Sequence, residues 1–255
     1  MGKDSRLHEI QQTQKEIDEK QKKDDERNRR QRKILNHTLK LKAVKPLTEN
    51  QEKAFHSYFS DKNLLLYGCA GTGKTYIALH LGLTDVIRGL YKNIVLVRSA
   101  VGSRDIGFLP GTIAEKIALY EVPYKDMVAD LCQRPGAYDL LKEKDVLSFM
   151  STSFLRGITL DQSVIIIDEV QNMTDHEISS ILTRVGEGSR VIICGDFRQN
   201  DLSINGKKNQ ESGMEQLLKT CQRMKSFDLI EFQIKDIVRS GFVREYIIAR
   251  YFNEK

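Results

Sequence analysis

The sequence has little that would place it in or across a membrane. Its 255 residues contain no uninterrupted apolar run of the roughly 18 to 20 residues that a membrane-spanning helix requires. The opening residues, MGKDSRLHEI, lack the apolar stretch at the centre of a signal peptide. We therefore expect a cytoplasmic protein that has no membrane partner.

Cysteine is scarce as well, and its placement argues against two kinds of stabilisation. The chain has four cysteines, and no two of them form the CxxC pair that is typical of a zinc site. Their scattered positions also give no sign of a disulfide framework. We expect all four to be reduced and Cys194 to lie in the core. The cysteines are Cys69, Cys132, Cys194 and Cys221.

Positive charge is concentrated near the N-terminus. Residues 1–45 contain 14 Lys and Arg against 8 Asp and Glu, the rest of the chain contains 26 against 27, and the net charge is +5. Residues 3–33 are highly charged and contain no aromatic residue, so they cannot bury enough apolar surface to offset the entropy of ordering the chain. We predict a basic arm over residues 1–45, disordered or a lone helix, and a domain over residues 46–255.

The block RNRRQRK within this arm has two interpretations. Lysine and arginine side chains bind nucleic-acid phosphates and release counterions as they do so, which favours an RNA or single-stranded DNA partner. A charged tail that only keeps the protein in solution has the same composition. The sequence leaves both interpretations open.

Short apolar runs rich in β-forming residues alternate with helical stretches from Leu47 onward. This order is typical of βαβ units around a parallel sheet. Most of the runs are continuously apolar, as strands covered on both faces are. The sequence therefore predicts an α/β fold with a mostly parallel central sheet. The predicted strands are NLLLYG, NIVLVRSA, DVLSFM, SVIIIDE, RVIICGD and FDLIEFQ.

The most specific motif is a complete GxxxxGKT between a predicted strand and a predicted helix. Its glycines let backbone N–H groups converge on phosphates, and the helix adds the positive end of its dipole. We expect Lys74 to reach the β and γ phosphates of ATP and Thr75 to bind the Mg²⁺ that bridges them. The motif, or P-loop, is Gly68, Cys69, Ala70, Gly71, Thr72, Gly73, Lys74 and Thr75.

Polar residues follow two further predicted strands. Ser163–Ile167 is followed by Asp168 and Glu169, and carboxylates at strand ends lie at the ligand edge of a parallel sheet. We expect Asp168 to hold the magnesium shell and Glu169 to position or deprotonate the attacking water. Gln199, after the strand RVIICGD, is placed to contact the γ phosphate, although GDFRQ is also typical of a polar turn.

Together these motifs resemble a known group of ATPases. The P-loop, DEVQ at Asp168–Gln171 and GDFRQ are similar to the first motor domain of superfamily 1 helicases. Longer stretches over Leu47–Val243 resemble the PhoH-like family of phosphate-starvation ATPases more closely. The resemblance implies a three-layer RecA-like P-loop NTPase domain. The stretches are LTENQ, VRSAVGSRDIGFLPGTIAEKI, FLRGITL, DEVQNMT and DIVRSGFV.

The resemblance also implies roles for residues outside the P-loop. Gln51 is expected to read the adenine of ATP, Gln199 to sense the γ phosphate, and Arg239 to be the family's arginine finger. Because the chain is too short for a second motor domain, we expect a homo-oligomer, a hexameric ring, in which Arg239 enters the neighbour's site. The basic arm replaces the small N-terminal domain of many relatives, so RNA binding through that domain is not implied.

Helicase-like domains contact a nucleic-acid backbone through the loops after their second and third strands, and residues of this chain occupy such positions. Phosphate contacts of this kind do not depend on base sequence. Solvation or packing of the loops is an equal interpretation, because no cluster of aromatic residues for base stacking lies between them. The residues are Arg98, Arg104, Thr152, Ser153 and Arg156.

Three classes of function remain compatible with the sequence. The first is an ATPase motor on RNA or single-stranded DNA, and the second is an ATP-gated binding module that does not separate strands. The third is a small-molecule kinase, which is the least favoured because no arginine-rich lid segment follows the P-loop core. Stimulation of ATP turnover by nucleic acid would distinguish the motor, and phosphate transfer to an acceptor would identify the kinase.

Overall fold

The fold is built on one parallel sheet. A computed structural model describes residue 15 and residues 38–99, 113–152, 157–196 and 213–253. Within them, six strands form a single sheet in the order β3-β2-β4-β5-β1-β6, and every pairing is parallel. All six predicted strands are present. They are β1 (Asn63–Gly68), β2 (Asn93–Arg98), β3 (Leu147–Ser151), β4 (Ser163–Asp168), β5 (Arg190–Gly195) and β6 (Phe227–Phe232).

Seven α-helices accompany the sheet in the described ranges. The local sequence explains where some of them begin. The Thr48 side chain accepts a hydrogen bond from the Gln51 N–H and caps α1, and Thr174 and Glu177 form a reciprocal capping box before α5. The helices are α1 (Glu49–Phe59), α2 (Lys74–Arg88), α3 (Ile113–Leu131), α4 (Ala137–Glu143), α5 (Asp175–Leu182), α6 (Met214–Cys221) and α7 (Gly241–Asn253).

Both faces of the sheet are covered. Successive residues of a strand point to opposite faces, so Leu64 of β1 belongs to one buried cluster and Leu65 to the other. Helices α1 to α4 contribute to the first cluster, and α5 and α6 contribute to the second. The predicted three-layer α/β architecture is therefore confirmed. Burial on both faces also explains why the strands read as continuous apolar runs.

Residues just ahead of the predicted boundary between arm and domain contact the packed domain. Leu39 is buried in the first core cluster. The Lys42 N–H donates to the Leu131 carbonyl at 2.7 Å, and the Lys42 ammonium donates to the Asp130 carboxylate at 3.1 Å. These contacts join the segment to α3, and the division of the chain at residue 45 stays a prediction. Most of the arm lies outside the described residues.

The sequence also led to expectations about the burial of the cysteines and about membrane-spanning helices. All four cysteines are buried and none forms a disulfide, and Cys194 belongs to the core cluster that contains β1 and α2 residues, as predicted. Across the described ranges, no helix combines the length and the apolar character needed to cross a membrane.

The carboxyl ends of the strands bring the predicted motifs together. β5 lies between β4 and β1 in the sheet. In the pairing register Leu66 of β1 is opposite Cys194 of β5, and Ile167 of β4 is opposite Ile193. The P-loop after β1 and the polar residues after β4 and β5 therefore share one edge. Ligands of parallel α/β sheets bind at this edge.

Candidate active site

A cavity of about 310 Å³ opens at this edge of the sheet. The P-loop, the ends of β2, β4 and β5, and helix α3 contribute to its walls. Its charged residues come from separate parts of the sequence, and the fold brings them together. They are Lys74, Arg98, Asp168, Glu169, Asp196 and Arg239.

Glycine is required at specific points of the P-loop. Gly68 has a φ of 110°, and a Cβ at this position would collide with the Phe232 carbonyl of the neighbouring strand β6. Gly73, the residue before α2, has a φ of 84°. Side-chain-bearing residues are strained in this region of conformational space. The glycines thus allow the chain to turn from β1 into the N-terminus of α2 beside the cavity.

The side chain of Lys74 contacts the backbone of the P-loop. Its ammonium donates hydrogen bonds to the carbonyls of Gly68 at 2.8 Å and Cys69 at 2.7 Å. Burial lowers the pKa of Lys74, and the nearby Asp196 carboxylate opposes that shift. The lysine therefore places a positive charge in a half-buried loop, where it acts more strongly on an anion than a fully exposed charge would.

Thr75 and Asp168 form the part of the site that fits a magnesium ion. The Thr75 hydroxyl donates to Asp168 Oδ1 at 2.9 Å, which joins the start of α2 to the end of β4. Alcohol and carboxylate oxygens are the hard donors that Mg²⁺ prefers. The second oxygen, Oδ2, accepts a hydrogen bond from Tyr124 of α3 at 2.8 Å. Burial raises the pKa of Tyr124, so its hydroxyl is a donor at neutral pH.

Glu169 has an unusual backbone and a perturbed side chain. Its φ of 54° is in the left-handed region, and the chain enters a short 3₁₀ turn (Val170–Asn172) directly after it. Burial and the adjacent Asp168 raise the pKa of Glu169, whereas Arg98, Gln171 and Lys74 act to lower it. A carboxylate with a raised pKa is a better acceptor for a water proton than an exposed one.

Gln171 links Glu169 to the end of β5. Its amide nitrogen donates to the Glu169 carboxylate, and its amide oxygen accepts from the Asp196 N–H at 3.0 Å. Gln171 is itself buried, so both amide groups need partners and both have them. The side chain of Glu169 is therefore oriented by a residue that is fixed to the neighbouring strand.

Two residues that were expected to contact nucleic acid have partners within the domain. Arg98, the last residue of β2, lines the cavity, and its guanidinium lies 5.5 Å from the centre of the Tyr120 ring. The Thr152 hydroxyl donates to Glu177 Oε1 at 2.7 Å. Arg98 thus belongs to the charged site, and Thr152 to the start of α5. The other predicted contacts, Arg104, Ser153 and Arg156, lie outside the described residues, as does Gln199.

Gln51 is fixed to the P-loop. Its amide nitrogen donates to the Thr72 carbonyl at 3.0 Å, and its amide oxygen accepts from the Leu47 N–H at 2.7 Å. Only 4% of the residue is exposed. The observed role is therefore to hold the P-loop against the start of α1. The reading of adenine by Gln51 stays a prediction.

The chain is similar to known proteins over most of its length. A family model described as "PhoH-like protein" matches residues 43–251. The chain belongs to the PhoH-like family. Its similarity to the PhoH-like protein of Mycobacterium leprae is 33% identity over 211 residues, which is 82% of this chain and 58% of that protein. The PhoH-like protein of Bacillus subtilis is 35% identical over 191 residues, 74% of this chain and 58% of that protein.

This PhoH-like chain spans a little over half the length of those relatives. Among solved structures, the ATPase core of a Sulfolobus solfataricus SWI2/SNF2 protein, in complex with double-stranded DNA, has a TM-score of 0.45 at 12% identity. That match covers 79% of this chain and 47% of the other. The identity and the TM-score are both too low to infer that this chain binds the same ligand.

Arg239 of the PhoH-like chain lies at the cavity of its own chain. The Val238 N–H donates to the Gly71 carbonyl at 3.0 Å and joins the segment after β6 to the P-loop. A Cβ on Gly71 would be only 3.0 Å from the Arg239 Cγ. Arg239 therefore lines the site of its own chain, and its entry into a neighbour's site stays a prediction.

Sequence reasoning missed the site roles of Tyr124 and Gln171. Tyr124 lies 44 residues before Asp168 in the chain, inside a helix, and no motif distinguishes it from a core aromatic residue. Gln171 was visible only as the last letter of DEVQ. Asp196, however, follows β5 in the same way that Asp168 ends β4, so the strand-end rule that selected Asp168 also identifies it.

Proposed function

We propose that this PhoH-like domain is a magnesium-dependent ATPase that converts ATP and water into ADP and phosphate. The observation that carries the proposal is the convergence on one cavity of the P-loop lysine Lys74, the hydrogen-bonded pair Thr75 and Asp168, and the half-buried carboxylate Glu169. Each group supplies something that phosphoryl transfer requires: phosphate binding, a metal site and a proton acceptor.

The phosphates are bound by the P-loop and the N-terminus of α2. Backbone N–H groups at such a helix terminus are unsatisfied within the helix and attract anions. Lys74 adds a full positive charge that stabilises negative charge on the transferred phosphoryl group. Thr75 and Asp168 would hold Mg²⁺, which neutralises charge on the β and γ phosphates when it is bound.

Glu169 is the proton acceptor in this reaction. As the oxygen of water bonds to the γ phosphorus, the bond from that phosphorus to the bridging oxygen breaks and ADP leaves with the electron pair. Glu169 accepts the proton that the water loses. The hydrogen bond from Gln171 keeps the carboxylate oriented while this happens.

Arg98→Gln is expected to move the acidic limb of the pH profile of kcat to higher pH. Glu169 acts as a base only when it is deprotonated, so activity falls as the pH drops through its pKa. The positive charge of Arg98 lowers that pKa, and its removal therefore raises it. The measurement is kcat against pH at saturating ATP and Mg²⁺.

Arg223→Gln is the matched control for that experiment. It removes the same charge from an exposed residue outside the cavity, so its acidic limb should coincide with that of the unaltered chain. A limb that stays in place in Arg98→Gln would contradict the assignment of the limb to Glu169.

We also propose that turnover is coupled to RNA or single-stranded DNA. The support is the concentration of positive charge in residues 1–45, where 14 basic residues face 8 acidic ones while the rest of the chain is nearly neutral. Such a segment binds polyanions without regard to sequence. The alternative, an ATP-gated binding module without strand separation, uses the same charge.

Steady-state ATPase assays with and without single-stranded RNA or DNA, at two salt concentrations, test this coupling. We expect stimulation that weakens with salt, because each phosphate contact releases counterions. A chain that lacks residues 1–33 retains the contacts of Leu39 and Lys42 with the domain, so its basal turnover should persist while its stimulation becomes less salt-sensitive. Equal salt slopes in both chains would make the arm a solubilising tail.

A further inference from the structure

A buried tyrosine touches the proposed magnesium ligand from outside both nucleotide motifs. Tyr124 is 1% exposed, and its hydroxyl donates to Asp168 Oδ2 at 2.8 Å. The other carboxylate oxygen accepts from Thr75 at 2.9 Å. Each oxygen of Asp168 therefore has its own hydroxyl partner. Two hydrogen bonds on opposite oxygens fix the rotation of the carboxylate about its last side-chain bond.

Tyr124 is itself held in place from several sides. Its ring centre lies 5.8 Å from that of Phe149 on β3. Arg98 of β2 lines the same cavity as Tyr124 and lies over the ring of Tyr120, one helical turn earlier on α3. The hydroxyl that donates to Asp168 thus belongs to a side chain with little freedom to move away.

Packing alone does not account for this arrangement. A phenylalanine would fill the same volume without the cost of burying a hydroxyl. The hydroxyl instead meets the one oxygen of Asp168 that Thr75 leaves without a hydroxyl partner. Groups that hydrogen-bond to metal ligands orient them and change the affinity of the site for its ion.

We propose that Tyr124 is a positioning residue for magnesium: by holding Oδ2 of Asp168, it directs Oδ1 and the Thr75 hydroxyl to the position of the ion. The proposal rests on the ATPase function argued above. It assigns to α3, which carries neither nucleotide motif, a direct influence on how tightly the site binds Mg²⁺.

Tyr124→Phe in the full-length chain tests the proposal, because it removes only the hydroxyl. Binding of a fluorescent ATP analogue is measured first in EDTA and then as Mg²⁺ is added. Metal-free binding should match the unaltered chain, whereas the Mg²⁺ concentration for half-maximal effect should rise about 10- to 100-fold. Excess Mg²⁺ should restore turnover. An unchanged Mg²⁺ midpoint would overturn the proposal.

A double substitution distinguishes positioning from a general effect on the fold. In an Asp168→Asn background, Tyr124→Phe should cause no further change in the Mg²⁺ midpoint, because its effect passes through Asp168. A further shift of similar size in that background would overturn the proposal.

Tyr138→Phe is the matched control. It removes the hydroxyl of another fully buried tyrosine, on α4 and outside the cavity, and should leave the midpoint unchanged. A midpoint shift as large as that of Tyr124→Phe would show that loss of any buried hydroxyl suffices, and would overturn the assignment. An unaltered chain that binds the analogue equally with and without Mg²⁺ would instead overturn the proposed magnesium site, and this inference with it.

Discussion

Glu169→Gln is expected to lower kcat for ATP hydrolysis by roughly 10² to 10⁴, the range of general base catalysis, and to leave ATP binding close to that of the unaltered chain. Glutamine preserves the size of the side chain but cannot accept a proton from water at neutral pH. The P-loop, Lys74, Thr75 and Asp168 keep their positions, so the phosphates are still bound. Single-turnover hydrolysis and equilibrium nucleotide binding measure the two quantities separately.

Lys74→Ala provides the contrasting result. It removes the ammonium group that lies within hydrogen-bonding distance of the P-loop carbonyls of Gly68 and Cys69. The positive charge that binds the phosphates is lost with it, so ATP binding itself should be lost. The two variants together separate a residue that acts on the reaction from one that acts on binding. Normal turnover in Glu169→Gln would remove the proton acceptor from the proposed mechanism and leave only a positioning role for that residue.

The sheet could be predicted almost completely from the sequence, for a simple physical reason. A parallel sheet with helices on both faces buries the middle of its central strands, so β1 and β4 contain the unbroken apolar runs LLL and VIII. The P-loop adds a boundary that fixes where β1 ends and α2 begins. The burial of Leu39 was less visible, because it lies in a short stretch in which Lys40 and Lys42 alternate with apolar residues.

The site was predictable only where its residues are contiguous in the chain. The P-loop and the Asp168–Glu169 pair each lie within a few residues of a strand end, so one sequence window contains the motif and its structural context. Tyr124 and Arg98 come from separate elements and meet Asp168 and Glu169 only in the folded sheet. Their types and spacing in the sequence are those of ordinary core and surface residues.

Arg239→Ala is expected to lower kcat by at least about 10³, if Arg239 acts as an arginine finger on the γ phosphate. The matched control is Arg244→Ala, an exposed arginine on α7 that does not line the cavity, whose kcat should stay near that of the unaltered chain. Similar losses in both variants would point to a general effect of charge or of α7 on the fold.

Mixing two inactive variants decides which subunit's ATP site Arg239 serves. Lys74→Ala lacks the ATP site but keeps its arginine, and Arg239→Ala keeps its ATP site but lacks the arginine. In a ring whose fingers act between subunits, interfaces that join an intact site to an intact finger would regain activity. The hydrogen bond from Val238 to Gly71, and the position of Arg239 at the cavity of its own chain, lead us to expect no recovery. Subunit exchange must be demonstrated in the same mixtures by energy transfer between labelled chains. Recovered turnover would support the interpretation in which Arg239 completes the site of a neighbour in a hexameric ring. If exchange is demonstrated and turnover does not recover, each Arg239 serves the ATP site of its own chain.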